Sequence, residues 1–259
     1  MVSELYWVAT AALLAGMVDA MVGGGGLLTV PALLSGYPNI APVVLLGTNK
    51  CSSLLGTTVA AWRYSRQVRL DWHWLAPAAL MAFVGACVGA ASVGVVPAAG
   101  LRLLLPVLLS MVWVMVWWSP QLGVTASRPP CNPKQSRAWP LAVAALIGWY
   151  DGFFGPGTGS FLIFWLVRGR GLDFLQASAC AKVLNVTTNL AALGLMALHG
   201  QVWWQVGLWM AAANIVGSCL GTALALKHGA RLVRQIFLAV VAVLIFKTGS
   251  EAYVSLFAG

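Results

Sequence analysis

The sequence predicts an all-α membrane protein, a polytopic bundle of helices built from two repeats, and three observations support this fold class. Of the 259 residues, 60% are apolar and only 8% are charged, whereas ordinary globular domains carry roughly 25% charged residues. Apolar runs recur along the whole chain, and most are close to the roughly 20 residues with which a helix crosses a bilayer. The third observation is that the chain repeats itself once.

The two repeats are related by an offset of 132 residues. Asp19 and the glycine run 23–26 correspond to Asp151 and the segment 155–158, which reads Gly-Pro-Gly-Thr. Lys50 corresponds to Lys182, and the GxxxG motif at Gly85 corresponds to the one at Gly217. Three matched features at one spacing make chance a poor explanation, and such internal repeats are typical of membrane transport folds.

Each repeat is predicted to contain five apolar segments. They are residues 5–22, 27–36, 42–63, 74–96 and 101–119, and then residues 139–154, 159–168, 174–198, 203–226 and 232–256. The second segment of each repeat is short and follows a glycine-rich break, so each repeat opens with a broken or re-entrant helix. We therefore divide the chain into a first transmembrane repeat (1–119), a linker (120–138) and a second transmembrane repeat (139–259).

Loop charges predict that the second repeat is inverted relative to the first. In each of three pairs of corresponding loops, one loop is more basic than the other. Loop 63–69 is basic and its counterpart 199–201 is uncharged, whereas loop 36–42 is uncharged and its counterpart 168–170 is basic. Loop 97–102 is weakly basic and its counterpart 227–234 is strongly basic. Basic loops face the cytoplasm, so we expect a cytoplasmic linker and periplasmic termini. The net charge of +9 is explained by the same rule, and no nucleic-acid partner is expected.

Lys50 and Lys182 are the strongest candidates for contact with a solute. Each lies about eight residues, or roughly 12 Å, inside its apolar segment, which is too deep for the ammonium group to reach the interface easily. An ionisable side chain at that depth faces an aqueous cavity or a charged partner. Both interpretations stay open, a contact with substrate and a structural Asp–Lys pair.

The glycine-rich breaks also have two interpretations. They could be packing devices or hinges, or they could start a new helix whose free N–H groups bind an anion. The second interpretation makes binding residues of Gly24, Gly25, Gly26, Gly157, Thr158 and Gly159. The GxxxG motifs at Gly85 and Gly217 are predicted to serve helix packing.

Polar side chains surround the two lysines at helical spacing. They are Thr48, Asn49, Ser52, Ser53, Asn185, Thr188 and Asn189. Polar residues in membrane helices often bond to neighbouring helices, but we expect this group to line a polar cavity. Asp19 and Asp151 precede the breaks, and three roles are open for them: capping the half-helix that follows, balancing a lysine of either repeat, or carrying a coupled proton.

These residues resemble the TauE/SafE sulfite exporter family over nearly the whole chain. The resemblance is carried by the segment from Asp19 to Pro31, by Gly-Thr-Asn-Lys at 47–50, and by Asp-Gly-Phe-Phe-Gly-Pro-Gly-Thr-Gly at 151–159. It implies an inner-membrane permease for sulfite, organosulfonates or related sulfur-containing anions. Cys51, Ser52 and Ser53, after the first lysine, depart from the family pattern.

A secondary transporter that works by alternating access is the predicted function. An anion channel is the alternative within transport, and a membrane-embedded enzyme is the alternative from another class. The five cysteines form no CxxC pair, and the chain has no Walker, G-x-S-x-G or H-E-x-x-H motif, so we expect no enzymatic activity, cofactor or metal. The expected partners are a small anion and the lipid bilayer, and a homo-oligomer is left open.

Overall fold

The computed structural model describes residues 2–93, 110, 113–114, 116–118 and 138–257. The helices in this part of the chain are α1 (Val2–Val22), α2 (Gly26–Gly36), α3 (Pro42–Ser65), α4 (Trp72–Ala91), α5 (Ala138–Phe153), α6 (Thr158–Arg170), α7 (Phe174–Leu198) and α8 (Trp204–Phe257). The predicted segments match these bounds closely. Most of the predicted segment 101–119 and of the linker 120–138 lies outside the described residues.

Local chemistry explains where several helices begin and end. Pro42 opens α3, where a missing N–H costs nothing. Asp71 and Asp173 cap α4 and α7, since each carboxylate accepts a hydrogen bond from a backbone N–H of the first turn. Gly229, with φ 72° and ψ −167°, interrupts α8 between the two predicted segments 203–226 and 232–256. The prediction of a break there is therefore confirmed.

The basic loops gather at one end of the bundle. The Arg63 guanidinium at the end of α3 donates to the Cys219 carbonyl, and the Arg170 guanidinium at the end of α6 lies 4.6 Å from the ring centroid of Trp74. We call this the basic end. At the opposite end the rings of Tyr37 and Trp203 lie 5.0 Å apart, which brings the turn after α2 beside the loop between α7 and α8.

Helix directions follow from these ends and from close glycine contacts. The Thr48 hydroxyl, near the start of α3, accepts from the Trp203 N–H at the opposite end, so α3 runs towards the basic end. A Cβ atom at Gly56 of α3 would overlap with Asn214 of α8, and one at Gly217 of α8 would overlap with Leu13 of α1. Later residues of α3 contact later residues of α8, and the same holds for α1 and α8. The helices α1, α3 and the first part of α8 are therefore parallel.

The helices α4 and α5 run the other way. Trp74 lies at the basic end, whereas Val93, after α4, packs near the opposite end against a cluster that includes Met196 and Val202. A Cβ atom at Gly85 would overlap with the Ala145 carbonyl, and one at Gly89 with the Trp149 carbonyl, so α4 and α5 are parallel. The helix α5 therefore runs opposite to α1.

Contacts between the N-terminal and C-terminal sets of helices are reciprocal. The contact of α1 with α8 corresponds to the contact of α5 with α4. The contact of α3 with α8 corresponds in the same way to the contact of α7 with α4. The corresponding helices α3 and α7 also pack on each other. The GxxxG motifs at Gly85 and Gly217 lie in the first two of these contacts, because only a residue without a side chain permits such close backbone approach. The two sets are interleaved around α3 and α7.

Four of the described helices are long and apolar enough to cross a membrane: residues 4–22, 72–91, 174–198 and 204–243. The helix α2, with 11 residues, is too short. The helix α3 has sufficient length but carries Thr48, Asn49, Lys50 and Ser52 among its buried residues. Its low hydropathy therefore comes from a polar face that is turned into the protein.

Candidate functional site

Two chain breaks at corresponding positions start the short helices α2 and α6. In the first break Gly23 and Gly24 have φ of 77° and 88°, and in the second Gly155 and Gly157 have φ of 89° and 87°. Side chains disfavour these left-handed conformations, so glycine is required. Pro156 corresponds to Gly24, and because proline holds φ near −65°, the second left-handed residue moves on to Gly157.

The two breaks touch each other through glycine backbone. A Cβ atom at Gly23 would lie 2.5 Å from the Gly159 Cα atom, and one at Gly159 would lie 2.6 Å from the Gly23 Cα atom. Neither position has room for a side chain. This contact brings the N-terminal ends of α2 and α6 together, and their N-cap residues, Gly25 and Gly157, have no side chain with which to cap the first N–H groups.

Each buried lysine pairs with the aspartate of the other half. The Lys50 ammonium lies 3.0 Å from Asp151 Oδ1, and the Lys182 ammonium lies 2.9 Å from Asp19 Oδ2. Lys50 is 3% exposed, Lys182 0% and Asp151 2%, so neither lysine snorkels to an interface. Three buried charges and the partly exposed Asp19, whose side chain is 15% exposed, thus sum to zero where the two sets of helices meet.

A cavity opens beside the two breaks and the ion pairs, and we call it the central cavity. It is lined by residues of both halves: Asp19, Gly24, Gly25, Gly26, Asn49, Lys50, Ser53, Thr57, Asp151, Gly155, Gly157, Thr158, Gly159, Asn185 and Asn189. Five pairs in this lining correspond at the offset of 132 residues: positions 19 and 151, 25 and 157, 26 and 158, 53 and 185, and 57 and 189. Equivalent residues therefore face one space.

Hydrogen bonds orient the amide groups in the cavity wall. The Thr29 hydroxyl donates to Asn49 Oδ1, which leaves the Asn49 NH₂ group on the side of Gly26. Asn185 Oδ1 accepts from the Thr188 hydroxyl at 3.4 Å and from the Asn189 NH₂ group at 3.4 Å. The acceptor oxygens of Asn49 and Asn185 are thus occupied, and their donors are what the wall can offer to a ligand.

Two predicted binding residues do not line the cavity. Lys182 is fully buried behind Asp19, its partner. The Thr48 hydroxyl donates to the Val44 carbonyl at 2.7 Å and accepts from the Trp203 N–H at 3.0 Å, so it joins α3 to the start of α8. The other eleven predicted binding residues line the cavity together with both aspartates. Ser52 and Thr188, which we also expected in the cavity wall, are buried but are not among its lining residues.

Sequence reasoning missed two lining residues, Thr57 and Gly155. Thr57 lies one helical turn beyond Ser53 and corresponds to Asn189, so the repeat itself was a signal for it. Gly155 corresponds to Gly23 in the first break. A Cβ atom at Gly155 would lie 2.8 Å from the Lys50 ammonium, so this glycine makes room for the ion pair.

The sequence matches known membrane proteins over most of its length. Residues 8–248 match the family described as "Sulfite exporter TauE/SafE". The chain is 36% identical over 230 residues to a Sinorhizobium protein named "Probable membrane transporter protein ORF9", covering 89% of this chain and 86% of that protein. It is 35% identical over 237 residues to "Probable membrane transporter protein YfcA" of Escherichia coli K12, covering 90% and 85%.

A third relative is a "Probable membrane transporter protein" of Haemophilus influenzae, 35% identical over 224 residues and covering 85% and 84% of the two chains. No solved structure matches the chain at a significant level. The names of these three relatives specify transport and a membrane, and none of them specifies a solute.

Proposed function

This chain belongs to the TauE/SafE family of sulfite exporters, and on that premise we propose that it is a secondary transporter which moves small sulfur-containing anions, such as sulfite or an organosulfonate, through the central cavity. Its family and its relatives make it a multi-pass membrane transporter. The solute and the mechanism are the proposed part.

One observation carries the proposal, the meeting of the buried Lys50 ammonium group and two helix starts without a side-chain cap at one cavity. The start of a helix attracts an anion because its N–H groups are free and its dipole is positive there. Lys50 lines the same cavity and adds a full positive charge. An oxyanion could take hydrogen bonds from Gly26, Gly159 and Asn49 and replace a carboxylate oxygen at the ammonium group.

Alternating access between two inverted repeats, 1–119 and 139–259, is the proposed mechanism. The opposite directions of α1 and α5, and the reciprocal packing of the two sets of helices, support the inverted arrangement. The glycine breaks give α2 and α6 the character of half-helices that start inside the protein. A site at the centre of such a pair of repeats can be exposed to either side by rocking one repeat against the other.

We place the protein in the inner membrane with the basic end in the cytoplasm. Arg63 and Arg170 lie at that end, and the positive-inside rule gives the orientation. The first residues of α1 then lie on the periplasmic side, because α1 runs parallel with α3 towards the basic end. An inside-negative potential favours outward movement of an anion that carries a net negative charge, by about 2.3 kcal/mol per charge per 100 mV.

Counterflow in liposomes tests the proposed function. Purified protein is reconstituted, the vesicles are loaded with unlabelled sulfite, the membrane potential is held at zero with equal K⁺ concentrations and valinomycin, and the uptake of ³⁵S-labelled sulfite is followed. A transporter shows transient accumulation of label that exceeds equilibration, because labelled and unlabelled anions share one alternating site. Uptake that is indifferent to the internal sulfite would favour the anion channel, and no uptake of sulfite or methanesulfonate would contradict the proposed solute class.

A further inference from the structure

The two crossed ion pairs correspond in sequence, but their hydrogen bonds differ. Asp19 Oδ1 accepts from the Gly25 N–H at 3.3 Å. Asp19 Oδ2 accepts from the Lys182 ammonium at 2.9 Å and from the Thr57 hydroxyl at 3.4 Å. Both oxygens of Asp19 therefore have donors, as an ionised carboxylate requires.

Asp151 has a donor at only one carboxylate oxygen. The Lys50 ammonium lies 3.0 Å from Oδ1 and donates to the backbone carbonyl of Asp151 at 2.7 Å. The other oxygen, Oδ2, is buried and has no hydrogen-bond partner among the residues that the structure describes. Asp151 is 2% exposed and lines the central cavity. A buried acceptor without a donor is costly, and more so when it carries charge.

Two corresponding positions differ in the folded structure, and they explain why the donors of Asp19 have no counterparts at Asp151. Asn189 stands in place of Thr57, and its NH₂ group donates to the Asn185 carbonyl at 2.8 Å instead of to the aspartate. Gly157 stands in place of Gly25, with φ 87° where Gly25 has −53°. The second break therefore presents no N–H group to the Asp151 carboxylate.

We propose that Asp151, and not Asp19, takes up one proton when the anion binds. The proton goes from solvent to Oδ2, the ion pair between Asp151 and Lys50 is broken, and the Lys50 ammonium becomes available to the anion. The Oδ2–H group then donates a hydrogen bond into the cavity. For a monoanion, one proton and one anion leave the sum of the charges at the site at zero. This inference rests on the proposed function, which it extends to proton-linked binding.

The surroundings of Asp151 support this assignment. Among the described residues, the titratable groups that surround Asp151 are Lys50 of α3, Tyr150 of α5, and the pair of Asp19 of α1 and Lys182 of α7, of which Asp19 lines the same cavity. Lys50 is the one that bonds to Asp151, while Lys182 is held by Asp19. The Tyr150 hydroxyl donates its hydrogen bond to the Pro156 carbonyl at 2.6 Å, so it does not donate to Asp151 Oδ2. A proton is the simplest donor for this oxygen.

The test is the pH dependence of anion binding to the full-length protein in detergent. Methanesulfonate is the probe, because it is the anion of a strong acid and keeps its charge over the working pH range. Calorimetry in two buffers with different ionisation enthalpies counts the protons taken up on binding. Where Asp151 is ionised in the free protein, we expect an uptake of one proton and a Kd that rises about tenfold per pH unit, the limit for one linked proton.

Asp151→Asn and its counterpart Asp19→Asn form a matched pair of variants. We expect Asp151→Asn to lose the pH dependence and to bind more tightly than the wild type at high pH, because the amide resembles the protonated acid. We expect Asp19→Asn to keep the pH dependence. Should Asp151→Asn fail to fold, the wild-type proton count together with Asp19→Asn still decides the assignment.

The outcomes separate the two proposals. Binding without proton uptake, retained pH dependence in Asp151→Asn, or loss of it in Asp19→Asn would overturn the assignment of the proton to Asp151 and leave the proposed function standing. Failure of the wild type to bind methanesulfonate at any pH would overturn the proposed function for sulfonates, and the inference with it.

Discussion

The Lys182 ammonium lies 2.9 Å from the Asp19 carboxylate, although 163 residues separate the two in the chain. The corresponding pair, Lys50 and Asp151, crosses between the halves in the opposite sense. Each half of the protein therefore neutralises the buried lysine of the other. The charges are balanced only when both halves are packed together, so the candidate site and the stability of the bundle depend on the same contacts.

Neutralising one lysine is the first test of this arrangement. Lys182→Gln leaves Asp19 without its partner, and breaking a buried pair costs about 3–5 kcal/mol, so we expect a lower unfolding temperature and weaker anion binding. In Lys182→Gln/Asp19→Asn, stability should recover while binding stays impaired, as measured by thermal unfolding and by calorimetry. Full recovery of transport in this double variant would show that the charge of Lys182 is not needed for anion binding.

Bulk at the glycine breaks should abolish transport. A Cβ atom at Gly25 would lie 2.8 Å from the Asp19 Cβ atom, and Gly157 has φ 87°. We expect Gly25→Val and Gly157→Val to insert into the membrane but to lose about tenfold or more in flux, which corresponds to 1.4 kcal/mol. Gly194→Val is the control, since a Cβ atom at Gly194 meets nothing within 4 Å. Normal flux in both variants would assign the breaks to packing alone.

A larger residue in the contact between α4 and α5 should destabilise the bundle. A Cβ atom at Gly89 would overlap with the Trp149 carbonyl and lie 2.8 Å from the Phe153 N atom. Overpacking of this kind typically costs about 1–3 kcal/mol, so Gly89→Leu should lower the unfolding temperature in detergent. Gly194→Leu serves as the control, and equal unfolding temperatures for the two variants would contradict the close helix contact.

The orientation can be tested with single cysteines at two exposed loop positions. Arg66→Cys and His199→Cys, each in a background without the native cysteines, place a thiol at the basic end and at the opposite end. We expect a membrane-impermeant maleimide to label His199→Cys in intact cells and Arg66→Cys only after permeabilisation. Labelling of both thiols from the same side would refute the inverted topology.

Most helix bounds could be predicted from the sequence because they are set locally. Glycine and proline in the breaks, Pro42 at the start of α3 and the apolar stretches between them act over a few residues. The predicted segments therefore match the helices within the described part of the chain. The internal repeat also allowed most of the cavity-lining residues to be predicted, because corresponding residues of two similar halves approach a common centre.

What the sequence by itself determined is the list of charged and polar residues at membrane depth, and it left open which aspartate balances which lysine. Either partner satisfies the charge of Lys50 equally well, so only the packing of α1 on α8 and of α5 on α4 decided that the pairs cross between the halves. The same is true of the difference between Asp19 and Asp151. It depends on where single N–H and O–H donors point, and those directions exist only in the folded bundle.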